Sequence, residues 1–264
     1  MADEAAVHES EAEKDPIHVR VRDLKKSYNG NPILKGVSFD MARGLTNVIV
    51  GASGSGKTVF LRQLIRLEKP DSGQILVDGQ DIVPLSELEL GETRKKFGMV
   101  FQMSALFDSM DVFDNVAFPL REHMKKLSRG EVKSQVEEAL EALGVKHAMH
   151  RLPSELSGGM KKRVAVARAI VMRPNILIYD EPTTGLDPIT SRTVDELIES
   201  TRERFGVTSV VISHDMESVT TMGHWITLLY KGEIEVSAQR DEFIKSDNAH
   251  VREILEASGV HIGG

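Results

Sequence analysis

Residues 51–58, Gly-Ala-Ser-Gly-Ser-Gly-Lys-Thr, combine three glycines with a lysine and a threonine at the spacing of a phosphate-binding loop. The glycines allow backbone N–H groups to turn toward phosphate oxygens, and the N-terminus of a following helix adds a positive partial charge. We therefore predict a nucleotide site rather than a glycine turn without a ligand, with Lys57 on the terminal phosphates and the Thr58 hydroxyl on Mg²⁺. The residues assigned to the nucleotide here are Gly51, Ser53, Gly54, Ser55, Gly56, Lys57, Thr58 and Val59.

Two adjacent carboxylates, Asp180 and Glu181, end the apolar run that begins at Ile176. Neighbouring strand residues point in different directions, so the two carboxylates can hold two roles. In a phosphate-loop fold, an Asp on the strand beside the loop strand enters the Mg²⁺ shell, and the Glu after it can accept a proton from the attacking water. We predict these roles for Asp180 and Glu181. Taken alone, the pair is equally typical of an acidic strand end that faces solvent.

The strands that deliver these groups are predicted from the hydrophobic pattern. Residues 17–24 alternate between apolar and polar types, which favours a half-buried edge strand, and residues 37–41 repeat the pattern. In residues 45–51, Leu-Thr-Asn-Val-Ile-Val-Gly, β-branched residues run into a glycine-rich turn, which predicts a strand buried on both faces before the phosphate loop. A helix over residues 57–67 follows the loop.

The rest of the chain alternates between strands and helices. Further strands are predicted at residues 73–79, closed by an Asp-Gly turn, and at 97–102, 176–180, 208–213 and 225–230. Further helices are predicted from Ser128, where Glu131 completes a capping box, to Gly144, then from near Gly159, and at residues 188–205 and 215–222. The pattern indicates an α/β core with an inserted helical subdomain at about residues 90–165.

Composition and charge narrow the class of protein. The chain has 264 residues, of which 41% are hydrophobic and 28% charged, as in an ordinary globular protein. Its 40 Asp+Glu against 33 Lys+Arg give a net charge of −7, which argues against a protein whose main affinity is for nucleic-acid phosphates. The absence of cysteine excludes disulfide scaffolds, thiolate metal sites and Cys nucleophiles. Residues 1–15 are acidic and lack an apolar stretch, so we predict a disordered tail there rather than a signal or an anchor.

Six motifs in order resemble those of the nucleotide-binding subunit of an ABC transporter, and the resemblance covers residues 17–238. Residues 156–160, Leu-Ser-Gly-Gly-Met, resemble the family's signature motif. The resemblance implies an α/β fold with a phosphate-loop NTPase (RecA-like) core, an antiparallel β subdomain and an inserted α-helical subdomain. It implies an ABC ATPase domain at residues 16–238, followed by a C-terminal helical extension at residues 239–264.

The same resemblance implies an ATPase whose cofactors are ATP and Mg²⁺. Tyr28 lies where the family places an aromatic ring under adenine. Gln102 lies at the loop that enters the helical insertion, where it can orient water or Mg²⁺, and His214 can donate a hydrogen bond to the γ-phosphate. The catalytic residues are then Lys57, Gln102, Glu181 and His214, and the Mg²⁺ ligands are Thr58, Gln102 and Asp180.

The signature motif implies a second copy of the chain. Ser157, Gly158 and Gly159 place a hydroxyl and unhindered N–H groups at a predicted helix start, which is a second anion-binding end, although Ser-Gly-Gly alone is a commonplace helix entry. The family closes this motif over a nucleotide held by another copy, in a homodimer that encloses two ATP. Asp187, in residues 184–187, is assigned to the nucleotide as well. Met160 stands where the family usually has glutamine, so an amide hydrogen bond is lost there.

Residues 102–109 and 112–119 resemble the ATPases of Mla and related MCE-type lipid transporters, including toluene-tolerance systems. This branch implies movement of phospholipid between the inner membrane and the cell envelope, with the chain peripheral on the cytoplasmic face of the inner membrane. The implied partners are a multi-span permease, an MCE-domain protein and a small accessory subunit, with no nucleic acid. An ABC importer or exporter for another solute and a non-transport ABC ATPase of translation or DNA repair stay open.

Two sets of apolar residues are candidates for contacts with partners. One set, just after Gln102, predicts either a groove for a permease helix or packing within the helical subdomain: Leu106, Phe107, Met110, Val112 and Phe113. The other set, at roughly helical spacing after Ala238, predicts short helices that pack on the second copy or on an accessory subunit: Phe243, Ile244, Val251, Ile254 and Leu255.

Overall fold

The computed structural model describes residues 15–259, which form two β-sheets and nine α-helices within that range. The strands are β1 (Ile17–Tyr28), β2 (Asn31–Ala42), β3 (Thr46–Val50), β4 (Ser72–Val77), β5 (Gln80–Asp81), β6 (Phe97–Val100), β7 (Ile176–Asp180), β8 (Thr208–Ser213), β9 (Trp225–Tyr230) and β10 (Glu233–Gln239). The helices are α1 (Lys57–Leu64), α2 (Glu87–Arg94), α3 (Val112–His123), α4 (Arg129–Ala142), α5 (Gly158–Ile170), α6 (Pro188–Phe205), α7 (Met216–Met222), α8 (Arg240–Ile244) and α9 (Ala249–Ala257). The predicted acidic tail, apart from Asp15, lies outside the described residues.

The smaller sheet is antiparallel, in the order β2-β1-β4-β5. The prediction that residues 17–24 form an edge strand is wrong, because β1 pairs with β2 on one side and with β4 on the other. Alternation reports that one face of a strand is buried, and this is true of central and edge strands of an antiparallel sheet alike. The predicted Asp-Gly turn is confirmed: Asp78 and Gly79 both have positive φ, 49° and 78°, as a tight hairpin requires.

The larger sheet has the order β10-β9-β3-β8-β7-β6, and its strands are parallel except for β10. The strand that precedes the phosphate loop, β3, is buried at every position, as predicted. Parallel strands bring their carboxyl ends to one edge of a sheet. The loops after β3, β6, β7 and β8 therefore meet at the same edge, which is where Lys57, Gln102, Asp180, Glu181 and His214 lie.

Two hydrophobic cores meet at β3. Val48 and Val50 belong to the core formed with the helices that follow β6 and β7, whereas Ile49 belongs to the core formed with the antiparallel sheet and α1. Successive strand residues point to opposite faces, so a single strand contributes to both cores. The phosphate loop thus begins at a strand that is packed on each side.

The helical subdomain lies between β6 and β7. Asp111 caps α3 through the N–H of Asp114, and Ser128 and Glu131 form the predicted capping box of α4. Gly144, with φ of 69°, follows the end of α4 and so confirms the predicted stop. Ser157 caps α5, the helix that carries the signature residues at its start.

The C-terminal segment packs on the chain's own core. Phe243, Val251 and Leu255 are fully buried in the core that also contains α5 and α6, and Ile254 packs against it. The prediction that this apolar set contacts a second copy or an accessory subunit is therefore wrong for these three buried side chains. Helical spacing shows that one face is apolar but not which surface covers it.

Several element bounds differ from the predictions. The helix predicted to reach residue 67 ends at Leu64, and the strand predicted to reach residue 102 ends at Val100. The short elements α2, β5 and β10 were not predicted, because segments of two to eight residues with mixed composition give little periodic signal. No helix within residues 15–259 is both long and apolar enough to cross a bilayer.

Candidate nucleotide-binding and catalytic site

The phosphate loop joins β3 to α1 and depends on its glycines. Gly54 and Gly56 adopt φ of 79° and 108°, which side chains other than glycine rarely adopt. At Gly51 a Cβ atom would lie 2.3 Å from the carbonyl oxygen of Leu229 and 2.7 Å from Oγ of Ser55. The first N–H groups of a helix have no acceptor within that helix, so α1 presents donors at the loop. The residues present fit a bound phosphate chain.

Lys57 is the first residue of α1 and its ammonium group lies across the loop. Nζ donates to the carbonyl oxygens of Gly51 at 2.6 Å and Ala52 at 3.2 Å, and it lies 3.7 Å from Oε1 of Glu181. The side chain is only 8% exposed, so this positive charge is held between the loop and the carboxylate. The arrangement places a cation at the bottom of the predicted phosphate site.

The two carboxylates of the predicted pair occupy different environments. Asp180 is the last residue of β7, whereas Glu181 has a φ of 50° and its N–H donates to the carbonyl oxygen of Ile212. Burial, together with the neighbouring Glu181 charge, raises the pKa of the Asp180 carboxyl above its ordinary value. The expectation that Asp180 ends the strand beside the loop strand is wrong, because β8 lies between β7 and the loop strand β3. Both carboxylates still lie at the same edge, since the carboxyl ends of all these parallel strands share it.

Glu181 is the centre of a small polar network. Its Oε2 accepts a hydrogen bond from the hydroxyl of Thr184 at 2.9 Å and from Nδ1 of His214 at 2.6 Å. With Lys57 near Oε1, the carboxylate is surrounded by donors on both oxygens. His214 follows β8, so two adjacent strands place a candidate base and a candidate phosphate donor in direct contact. Neither the contact nor Thr184 was predicted from the sequence.

A cleft of about 710 Å³ opens above the phosphate loop, a size within the usual range for ligand sites. Predicted site residues line it: Ser53, Gly54, Gly56, Lys57, Thr58, Val59, Gln102, Glu181 and His214. Three lining residues were not predicted: Ile33, Ala52 and Thr184. Ala52 lies inside the phosphate loop and Thr184 is the first of residues 184–187, so both lie in motifs from which they could have been predicted. Ile33 reaches the cleft from β2 and belongs to no motif.

Oxygen groups suited to Mg²⁺ are present at this edge. The predicted ligands supply the Thr58 hydroxyl, the Gln102 amide and the Asp180 carboxylate, which are the hard donors that Mg²⁺ takes together with water and substrate phosphates. Thr58 and Gln102 are exposed and line the cleft. The chemistry of the donor set therefore fits Mg²⁺.

Tyr28 lies outside the residues that line the cleft. It ends β1, is 36% exposed, and donates its hydroxyl to Oε2 of Glu68 at 2.5 Å. The ammonium of Lys26 lies 5.5 Å from the centre of the tyrosine ring. Its predicted role under adenine stays a prediction.

Ser157, Gly158 and Gly159 also lie away from the chain's own cleft. All three are exposed at the start of α5, and a Cβ atom at either glycine would meet nothing within 4 Å. Asp187 caps α6 by accepting from the N–H groups of Ile189 and Thr190, and it is exposed as well. Two exposed helix starts, each capped by its own side chain, therefore lie on the surface of a single chain.

Comparison with known proteins agrees with this geometry. The family model described as ABC transporter matches residues 34–184. The chain is 39% identical over 238 residues to the intermembrane phospholipid transport system ATP-binding protein MlaF of Escherichia coli K12, covering 90% of this chain and 88% of that protein. It is 38% identical over 247 residues to the probable ribonucleotide transport ATP-binding protein mkl of Mycobacterium leprae, covering 94% of this chain and 70% of that protein.

A solved structure extends the comparison to three dimensions. The dimeric post-hydrolysis state of the ATP-binding cassette MJ0796, bound to ADP and Pi, is 31% identical and has a TM-score of 0.74, covering 84% of this chain and 98% of that one. The family match over residues 34–184 spans the phosphate loop, the signature residues and the carboxylate pair. The chain therefore belongs to the ABC transporter family, as an ATP-hydrolysing ATP-binding subunit.

Proposed function

We propose that this chain is the motor of a transporter that moves phospholipid between the inner membrane and the cell envelope. The observation that carries the proposal is the similarity to MlaF, which extends along most of both chains rather than over the ATPase motifs alone. The multi-span permease and the MCE-domain protein belong to the same proposal, as does a peripheral position on the inner membrane. Transport of another solute is the second candidate, favoured by the similarity to mkl.

The geometry supports distinct roles for the residues of the site. The phosphate loop and Lys57 bind the phosphates, and Glu181 accepts the proton of the attacking water. Thr58, Gln102 and Asp180 would hold Mg²⁺, which supplies positive charge against the phosphate oxygens. His214 donates to Oε2 of Glu181, so its ring is held where it faces the cleft.

A second copy of the chain completes the site in this proposal. Ser157 and the two glycines after it present free helix N–H groups at an exposed surface, where a phosphate held by another chain can be bound. Asp187 lies at a second exposed helix start and would contact the partner's nucleotide site from there. The dimeric state of the similar cassette MJ0796 is consistent with this arrangement.

An apolar groove beside Gln102 is the proposed contact for the permease. Of the residues predicted for it, Val112 is fully buried, and Leu106 and Phe113 pack against the core, so these three support the helical subdomain instead. Phe107 remains 41% exposed and lines a groove of about 490 Å³. The other apolar side chains of this groove are Phe97, Met99, Phe101, Ala105, Phe118, Pro119, Ala169 and Met172.

The charged side chains that line the groove indicate the chemistry of the segment that binds there. Its lining contains Arg94, Lys95, His123 and Arg168 and no aspartate or glutamate, and of these Arg94 and Lys95 pair with Glu87 and Glu92 outside the lining. A permease helix with an apolar face and acidic residues at its margin would match this lining. The position next to the Gln102 loop would allow such a helix to respond to closure over ATP.

Phe107→Asp is expected to separate ATP binding from assembly. The substitution places a charge in an apolar groove, so co-purification with the permease complex should fall at least about tenfold, while ATP affinity of the isolated subunit stays within about twofold. The matched control is Phe205→Asp, because Phe205 is 36% exposed at the far end of α6. Equal recovery of the complex with both variants would contradict the proposed contact.

The lipid assignment is tested with the purified complex in liposomes. Labelled phospholipid should move with ATP and the wild-type chain, and should not move with ADP or with the Glu181→Gln chain. Equal movement in all three conditions, or movement of another solute alone, would rule out phospholipid as the cargo and leave the motor assignment intact.

A further inference from the structure

Lys162, in the second turn of α5, contacts two loops of the catalytic edge at once. Its Nζ donates to the carbonyl oxygen of Gln102 at 2.6 Å and to the carbonyl oxygen of Pro182 at 3.0 Å. Pro182 directly follows Glu181 in the chain. A single side chain of α5 therefore links the loop that carries Gln102 to the turn that carries the candidate base.

The environment of Lys162 is unusual for a lysine. The side chain is half-buried, and among residues 15–259 no carboxylate forms an ion pair with it. Burial lowers the pKa of its ammonium group below the ordinary value. Desolvation of a charge without an acidic partner is costly, so the two carbonyl contacts are what hold the ammonium at this place.

A second cation of α5 fixes the same loop further along. Arg168 donates to the carbonyl oxygens of Ser104 at 3.0 Å and Ala105 at 2.7 Å. Ser104 and Ala105 have φ of 62° and 46°, a conformation that side-chain-bearing residues seldom adopt and that needs external support. Its guanidinium also lies 5.8 Å from the ring centre of Phe107, in the proposed permease groove. The loop is thus attached to α5 at two points.

We propose that Lys162 is a positioning residue for ATP hydrolysis, which sets Gln102 and Glu181 relative to the signature end of α5. The helix begins at Gly158, and Lys162 lies about 6 Å along its axis from there. Displacement of α5 when its signature end engages a nucleotide would therefore move both loops through Lys162. This proposal rests on the roles given above to Gln102 and Glu181.

The test compares Lys162→Met with Lys162→Arg and with Lys161→Met as the matched control. Lys161 is the adjacent residue and no hydrogen bond or ion pair of its side chain is present in the described structure. For the full-length chain, kcat of Lys162→Met should fall at least about tenfold while KM for ATP stays within about twofold, because a displaced loop misplaces the reacting groups without removing phosphate contacts. Lys162→Arg should retain most of kcat, since arginine can donate to both carbonyls, and Lys161→Met should match wild type.

Thermal unfolding and the Glu181→Gln chain separate the possible explanations. An unchanged unfolding midpoint with reduced kcat supports positioning. Three results for Lys162→Met would overturn the proposal: a kcat within twofold of wild type, a change in KM alone, or a fall in kcat together with a lower unfolding midpoint. Wild-type turnover by Glu181→Gln would instead refute the catalytic assignment itself, independently of Lys162.

Discussion

Replacement of Glu181 by glutamine is expected to slow ATP hydrolysis by about two to four orders of magnitude while ATP affinity changes little. Glutamine keeps the size of the side chain and can still accept from Thr184, but an amide cannot accept the proton of the attacking water. The contacts of the phosphate loop do not depend on this oxygen, because Lys57 also donates to the carbonyls of Gly51 and Ala52. Bound ATP should then persist, and the ATP-bound chain should accumulate as a dimer.

The measurement pairs turnover with gel filtration in Mg-ATP. Glu141→Gln is the control, because Glu141 is an exposed residue of α4 that pairs with Lys146 and does not line the cleft. The control should hydrolyse ATP as wild type does and should show no added dimer. Near-wild-type turnover of Glu181→Gln together with strictly monomeric elution would refute both the base assignment and the proposed second copy.

Lys57→Ala is expected to weaken ATP binding rather than to slow the hydrolysis step. Removing a buried charge that contacts its partner costs about 2–5 kcal/mol, which corresponds to at least about a thirtyfold loss of ATP affinity. The loss has a second cause, since Glu181 would lose the cation near its Oε1 and would repel the terminal phosphate. Both causes weaken the bound ground state.

Titration with a fluorescent ATP analogue measures this affinity directly. Lys245→Ala serves as the control, because Lys245 is exposed beyond the end of α8 and lies outside the cleft lining. Affinity of Lys57→Ala within threefold of wild type, for a chain that unfolds at the wild-type temperature, would remove Lys57 from the phosphate site.

Local sequence patterns predicted the strands and helices that carry the site. They could not predict which distant segments pair with each other. The β3 strand, the glycine loop and the start of α1 are adjacent in sequence, so their order alone constrains their geometry. The central place of β1 in its sheet and the insertion of β8 between β3 and β7 both depend on pairing with distant segments. The strands β3 and β8, for example, pair although they are more than a hundred residues apart in the chain. Alternation cannot identify those partners, because it records burial of a face and not the neighbour that buries it.

The same limit applies to the site and its surroundings. Lys57, Glu181 and His214 were each predicted from a motif, but their contacts require the common edge of three parallel strands. The apolar character of Phe243 predicts a partner contact, and that of Val112 is consistent with either a permease groove or packing within the helical subdomain. Both side chains are fully buried within this chain. Hydrophobicity predicts that such a side chain is covered and does not distinguish its own chain from another.

The sharing of β3 between two cores has a consequence for how the chain can open. A strand that contributes Val48 and Val50 to one core and Ile49 to the other cannot detach from either without disturbing both. Release of the strand from which the phosphate loop starts would therefore require both cores to open. Its backbone amides are accordingly expected among the slowest to exchange with solvent.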